Sequence, residues 1–176
     1  MKTAFLFPGQ GSQTPGMGSD LYLSYSRYRD AFDRCEAGAN LDLKAACFRG
    51  EGMDESAVIQ AAIYSHSLAT LRLLESQGVR VDVYAGLSLG EYTALAASGV
   101  LEDGAGASLV RRRGAVMDGA VPPGTGGMLS VVGLGAGGVT LLLRDPARAA
   151  KATALGRDLG LAVGVQLLWE SIEQFD

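Results

Sequence analysis

Apolar residues recur along this chain with two different spacings, and the changes between them mark the predicted elements. Residues 3–7 form a mostly apolar run stopped by Pro8 and Gly9, which predicts a first strand. Residues 21–37 place aromatic and aliphatic side chains among Arg27, Arg29, Asp30 and Arg34 in a helical pattern. Residues 58–77 predict a stronger helix, with Ile59, Ile63, Leu68, Leu71 and Leu74 on a broad apolar surface that also takes in His66. Gly78 closes it. Val79, Val81 and Val83 then alternate with Arg80, Asp82 and Tyr84, which predicts a strand over 79–85, broken by Gly86. Two further helices are predicted, one from Leu89 through Ala97 ending near Gly99, the other over 103–117.

Helix, strand and helix in close order, after an N-terminal strand, predict an α/β domain with a parallel sheet. Beyond this the pattern weakens. Residues 126–133 read as the start of a strand, 141–143 as a short strand and 145–155 as a weak helix. Residues 161–169 are apolar with no evident partner.

Composition changes this picture little. The 176 residues suffice for one domain with a sizeable core, and 48% hydrophobic with 19% charged residues is ordinary for a globular protein. A net charge of -4 gives no support to nucleic-acid binding, and the basic run at Arg111, Arg112 and Arg113 is isolated. No segment approaches the ~20 continuous apolar residues of a membrane span. The opening apolar run is too short for a signal-peptide core, so the expectation is a cytoplasmic enzyme. Cys35 and Cys47 form neither a disulfide framework nor a metal-ligand pattern, and no metal is expected.

The chemistry concentrates at Gly86-Leu87-Ser88-Leu89-Gly90, which matches the nucleophile-elbow pattern. A strand that turns sharply into a helix needs small residues two positions before and after the serine. The hydroxyl is then pushed out above the sheet, and the Leu89 N–H lies where an anion developing on a substrate carbonyl could be stabilised. Arg113 shares a helical face with Leu109 and Met117. A cation on an apolar stripe must reach water or find a partner such as a carboxylate, and spacing alone leaves both open. Arg111 and Arg112 point elsewhere and read as solvated. His66, the only histidine, sits within a helical packing surface, and nothing downstream of Ser88 can serve as a histidine base. Gln10 follows the first strand and could lie over the serine if the two strands are neighbours. The Gly-rich loop over 9–18 fits no nucleotide-binding fingerprint.

Three ordered motifs carry a family likeness. Phe7-Pro8-Gly9-Gln10-Gly11-Ser12-Gln13 with Gly16-Met17-Gly18, then Gly86 through Leu95, then Arg113-Gly114 with Met117, together resemble malonyl-CoA:acyl-carrier-protein transacylases. Related acyltransferase domains occur in polyketide and fatty-acid synthases. Pro123-Gly124-Thr125-Gly126-Gly127-Met128 resembles the family's next block, so that the likeness covers about residues 1–134.

The resemblance implies an α/β-hydrolase-like large subdomain over 1–124 and the beginning of a ferredoxin-like small subdomain over 125–138. A divergent tail follows over 139–176. It implies Ser88 as the serine that carries the malonyl ester and Arg113 as the group that holds the malonyl carboxylate. Gln10 and the Leu89 N–H would form the oxyanion hole, with Gln60 near the site. Malonyl-CoA and acyl carrier protein are the implied partners, the carrier supplying the phosphopantetheine thiol, and no cofactor is needed. The full-length family member is expected to be a monomer. Two departures stand out: Leu87 replaces a common histidine, and the family's downstream Pro-Phe-His-like base segment is missing. The expectation is therefore a chain of poor activity. The alternatives are a non-catalytic remnant or binding module, and an α/β-hydrolase-type serine esterase. The esterase reading leaves Arg113 and the Phe7-to-Gln13 motif unexplained.

Overall fold

A computed structural model describes residues 2–120, so the predictions for 125–138 and 139–176 lie outside the described residues. Strand β1 (Ala4–Phe7) leads through the Gly-rich loop to helices α1 (Ser19–Ser24) and α2 (Ser26–Ala39). One wide π-type turn, Ala45–Arg49, precedes the long helix α3 (Ser56–Ser76). Strand β2 (Val83–Gly86), helix α4 (Leu89–Ala97) and helix α5 (Asp103–Asp118) complete the described part. The strands pair in parallel, Ala4 opposite Val83 and Phe7 opposite Gly86, which brings the loop after β1 beside the turn after β2. The fold is α/β, with a small parallel sheet against a helical bundle.

Helix α3 is the hub. Ile59, Ala62, Ile63, Leu68, Ala69 and Leu71 are all buried, and α2, α4 and α5 pack around it. Its apolar residues face several directions, as expected of a helix enclosed by others. Glycines allow the tightest approaches. A Cβ on Gly38 of α2 would overlap the backbone of Gly104 in α5, and one on Gly106 would overlap the Tyr64 hydroxyl of α3. Around that crossing, Asp103 accepts from Arg34 and Arg72, each at 3.0 Å, while its carbonyl accepts from Tyr64 at 3.2 Å.

Two predicted elements differ in detail. The helix expected over 21–37 is two helices, because Tyr25 is extended at φ -128° and ψ 117°. Arg29 compensates for the break: its guanidinium donates to the carbonyls of Tyr22 and Leu23, both at 3.1 Å, satisfying the exposed end of α1. The strand expected over 79–85 is shorter. The Val79 N–H closes α3 by donating to Leu74 at 3.1 Å, and pairing with β1 is confined to Val83–Gly86. The alternation leaves open which face is covered. Phe5, Phe7 and Tyr84 turn toward the helices, whereas Leu6 and Val83 are exposed.

Candidate active site

The elbow at Ser88 is formed by close backbone packing. Ser88 has φ 52° and ψ -104°, a positive-φ conformation that costs energy for a residue with a Cβ. Its flanking glycines allow it. A Cβ on Gly86 would overlap the Gly90 backbone, and a Cβ on Gly90 would overlap the carbonyl of Phe7 at the end of β1. The pentapeptide therefore locks the turn to the neighbouring strand as well as to itself. The Ser88 side chain is exposed, whereas Leu89 is buried and anchors the start of α4. Leu89 opens that helix, so its N–H has no partner within it.

Four of the sequence-predicted residues meet here. Arg113 Nη2 donates to Ser88 Oγ at 2.9 Å and Nη1 donates to Gln60 Oε1 at 2.7 Å. Gln60 is fully buried, and its Nε2 donates to Gln10 Oε1 at 3.0 Å and to Met117 Sδ at 3.2 Å. Gln10 Nε2 in turn donates to Ser56 Oγ at 3.2 Å. The result is a continuous chain from Ser88 to the start of α3. Of the two readings left open for Arg113, the surface-reaching one is set aside, because its guanidinium turns into the cluster and lies 5.5 Å from the Tyr92 ring centre. Gln10 lies beside the elbow, but its side-chain amide is engaged at both ends, by Gln60 and by Ser56. Any oxyanion contact from Gln10 would therefore come from its backbone N–H.

Arg111 is a correction. It is half-buried rather than simply solvated, and it donates to the Ala39 carbonyl at the end of α2 at 3.3 Å. Arg112 is exposed. Tyr92, Ser56 and Asp118 escaped the sequence reading. Tyr92 carries one legible signal, a position one helical turn after Ser88, while Ser56 and Asp118 join the cluster only through tertiary contact.

His66 serves packing. The Tyr28 hydroxyl lies 2.7 Å from His66 Nδ1. Burial raises the Tyr28 pKa, so the phenol keeps its proton and donates, which places the imidazole proton on Nε2. Burial also lowers the His66 pKa, with Asp20 opposing it weakly. The imidazole lines a largely apolar cleft with Phe5, Phe7, Met17, Ile63 and Leu71; neither Ser88 nor Arg113 borders it. Cys35 and Cys47 are also removed from chemistry, since burial foremost pushes each thiol up to about 12. No group of three His, Cys, Asp or Glu side chains among the described residues could hold a metal ion. None of the described helices is long and apolar enough to cross a membrane.

A strand-turn-helix elbow that presents an exposed serine against an arginine and two glutamines defines a class, the serine acyltransferases. Residues 4–153 match the family model described as acyl transferase domain, and the chain belongs to that family. The match continues past residue 134, where the likeness read from motifs ends, and so takes in part of the stretch expected to be divergent. Over 137 residues the chain is 39% identical to the malonyl CoA-acyl carrier protein transacylase of Bacillus subtilis strain 168, covering 77% of this chain and 43% of that protein. The Escherichia coli K12 protein of the same name is 40% identical over 134 residues, covering 74% and 43% respectively. A crystal structure of malonyl-CoA:acyl carrier protein transacylase from Xanthomonas oryzae superposes with a TM-score of 0.77 at 34% identity, covering 96% of this chain and 63% of that one. The chain thus spans less than half the length of the curated relatives it matches.

Proposed function

We propose that this chain carries the acyl-accepting half of a malonyl transfer site. The single observation that carries this reading is the guanidinium of Arg113 at 2.9 Å from Ser88 Oγ. A malonyl ester on Ser88 ends in a carboxylate, and a planar cation beside the ester oxygen can take it in a two-pronged contact. A simple esterase has no use for that cation. The names of the relatives support the same substrate and partner, malonyl-CoA and acyl carrier protein.

In the proposed reaction Ser88 Oγ attacks the thioester carbonyl of malonyl-CoA. The C–S bond breaks, CoA leaves as the thiol with the serine proton, and the malonyl group remains as an ester. The phosphopantetheine thiol of acyl carrier protein then attacks that ester and restores the serine hydroxyl. The N–H groups of Leu89 and Gln10 stabilise the oxyanion of each tetrahedral intermediate. The reaction belongs to fatty-acid or polyketide synthesis in the cytoplasm.

Proton transfer is the weak point. Arg113, the partner of Ser88 Oγ, cannot accept a proton, and His66 is engaged by Tyr28. Among the described residues no base therefore stands at Ser88 Oγ, and general-base catalysis is worth about 10²–10⁴ in rate, so acylation by this chain is expected to be slow.

Intact-mass measurement during incubation with malonyl-CoA tests the reading. The expected result is a slowly formed single malonyl adduct, absent in Ser88→Ala. Replacing Arg113 by Ala should erase the preference for malonyl-CoA over acetyl-CoA. Equal labelling by the two thioesters in the unmodified chain, or no adduct after prolonged incubation, would overturn it.

A further inference from the structure

Asp118 stands at an electrostatically poor place on its own helix. It is the last residue of α5, where the carbonyl end of the helix disfavours an anion. Its carboxylate instead accepts the backbone N–H of Ser56 at 2.8 Å, across 62 residues of sequence. Ser56 is the first residue of α3, and the preceding Glu55 makes no side-chain cap there. Asp118 thus supplies from another helix both the acceptor and the negative charge that the start of α3 lacks.

The same few residues set how α5 lies on α3. Gly114 packs directly on the backbone of Ser56 and Ala57, where a Cβ would overlap both. Arg113 and Met117 of α5 both reach Gln60, one turn into α3. From the other side, Ser56 Oγ accepts the Gln10 amide at 3.2 Å. Ser56 is therefore bound twice, by its N–H to Asp118 and by its hydroxyl to Gln10.

We propose that Ser56 and Asp118 form a clasp that holds the Gln10 loop and the Arg113 segment in register at Ser88, making both positioning residues of the transfer site. Neither touches the reacting atoms. Asp118 fixes the start of α3 against the end of α5, and so the reach of Arg113. Ser56 fixes the Gln10 side chain, and so the placement of the Gln10 backbone beside the elbow. The proposal rests on the acyl-transfer reading for its purpose, but the clasp itself is testable without any turnover.

The test pairs an activity-independent readout with an acylation rate. In the full chain, the side-chain amide resonances of Gln10 and Gln60, assigned by their loss in Gln10→Ala and Gln60→Ala, report local order on the fast timescale. Ser56→Ala and Asp118→Ala should each reduce the order of the Gln10 amide, whereas Ser56→Thr and Asp118→Asn, which keep an acceptor oxygen, should retain it. The rate of Ser88 malonylation should fall about 5-fold in the alanine variants and recover in the conservative ones, the change expected on losing one cap-type hydrogen bond. Circular dichroism checks that each variant keeps its helices, and the two conservative variants keep the comparison informative if an alanine variant fails to fold. An unchanged Gln10 amide in both alanine variants, or equal loss in Asp118→Asn and Asp118→Ala, would overturn the clasp. A clasp seen by resonance in a chain that never forms the malonyl adduct would instead sink the acyl-transfer reading and leave the clasp standing.

Discussion

Asp103 and His66 show how single residues tie this fold to pH. Burial alone would raise the Asp103 pKa, but hydrogen bonds from Arg72 and Arg34 outweigh it and hold the carboxyl below its usual value. A depressed folded-state pKa contributes stability that is present above the unfolded value of about 3.9 and is lost as pH falls through the folded value. Asp103→Asn should therefore cost about 1–3 kcal/mol near neutral pH, the guanidiniums losing a charged partner in a partly solvated place. That deficit should shrink on acidification, which urea titrations at pH 7 and pH 3 would reveal; an equal deficit at both would contradict it. His66 acts in a higher window. Burial lowers its pKa, so the folded chain favours the neutral ring that accepts from Tyr28. Protons bind the unfolded chain first, and stability should decline as pH drops from about 6.5 toward the lower folded value. His66→Gln should flatten that decline in thermal melts between pH 7.5 and 5. A decline of the same depth in the variant would show that another group is responsible.

At the level of elements, the elbow and the α2–α5 crossing depend on missing side chains. Gly90→Ala forces a methyl against the Phe7 carbonyl, so the elbow must open or β1 must shift. Either change moves Ser88 relative to Arg113. Gly38→Ala makes a similar demand at the Gly104 backbone, far from Ser88 in the fold's chemistry. Overpacking of this kind costs about 1–3 kcal/mol. Both variants should melt earlier, but only Gly90→Ala should slow Ser88 malonylation beyond what its residual folded fraction explains. Equal activity per folded molecule would rule out the elbow as the sensitive element. The elbow was legible in sequence because its requirements are local: two glycines, a serine, a strand-like run before and a helical run after. Helix α3 was legible for the same reason, its apolar surface being long and continuous. The break at Tyr25 was not, since Arg29 repairs the interrupted backbone through contacts that no periodicity records. Arg113 lay between. Its face was readable, but its direction depends on Gln60, which is 53 residues away in sequence.

For the molecule as a whole, the sheet is where the chain's self-sufficiency is tested. Among the described residues β1 pairs with β2 alone, so each strand has an outer edge without a ladder partner. The face turned away from the helices carries Leu6 at 78% exposure and Val83 at 53%, with Leu87 at 74% just beyond the strand. The valine alternation predicts a strand here without assigning its covered face, and that has a physical cause. Period two fixes which residues share a face, but which face is covered depends on what packs there. Open strand edges beside exposed apolar side chains are templates for pairing with another chain. The isolated chain should therefore self-associate with rising concentration, unlike the monomer expected of a full-length relative. Sedimentation velocity across a hundredfold concentration range checks this. Leu6→Lys with Val83→Lys should shift the distribution toward monomer, because lysines on an exposed face oppose edge-to-edge pairing while Phe5, Phe7 and Tyr84 still face the helices. A chain that stays monomeric throughout, or a double variant that associates as strongly, would show that this face does not drive association.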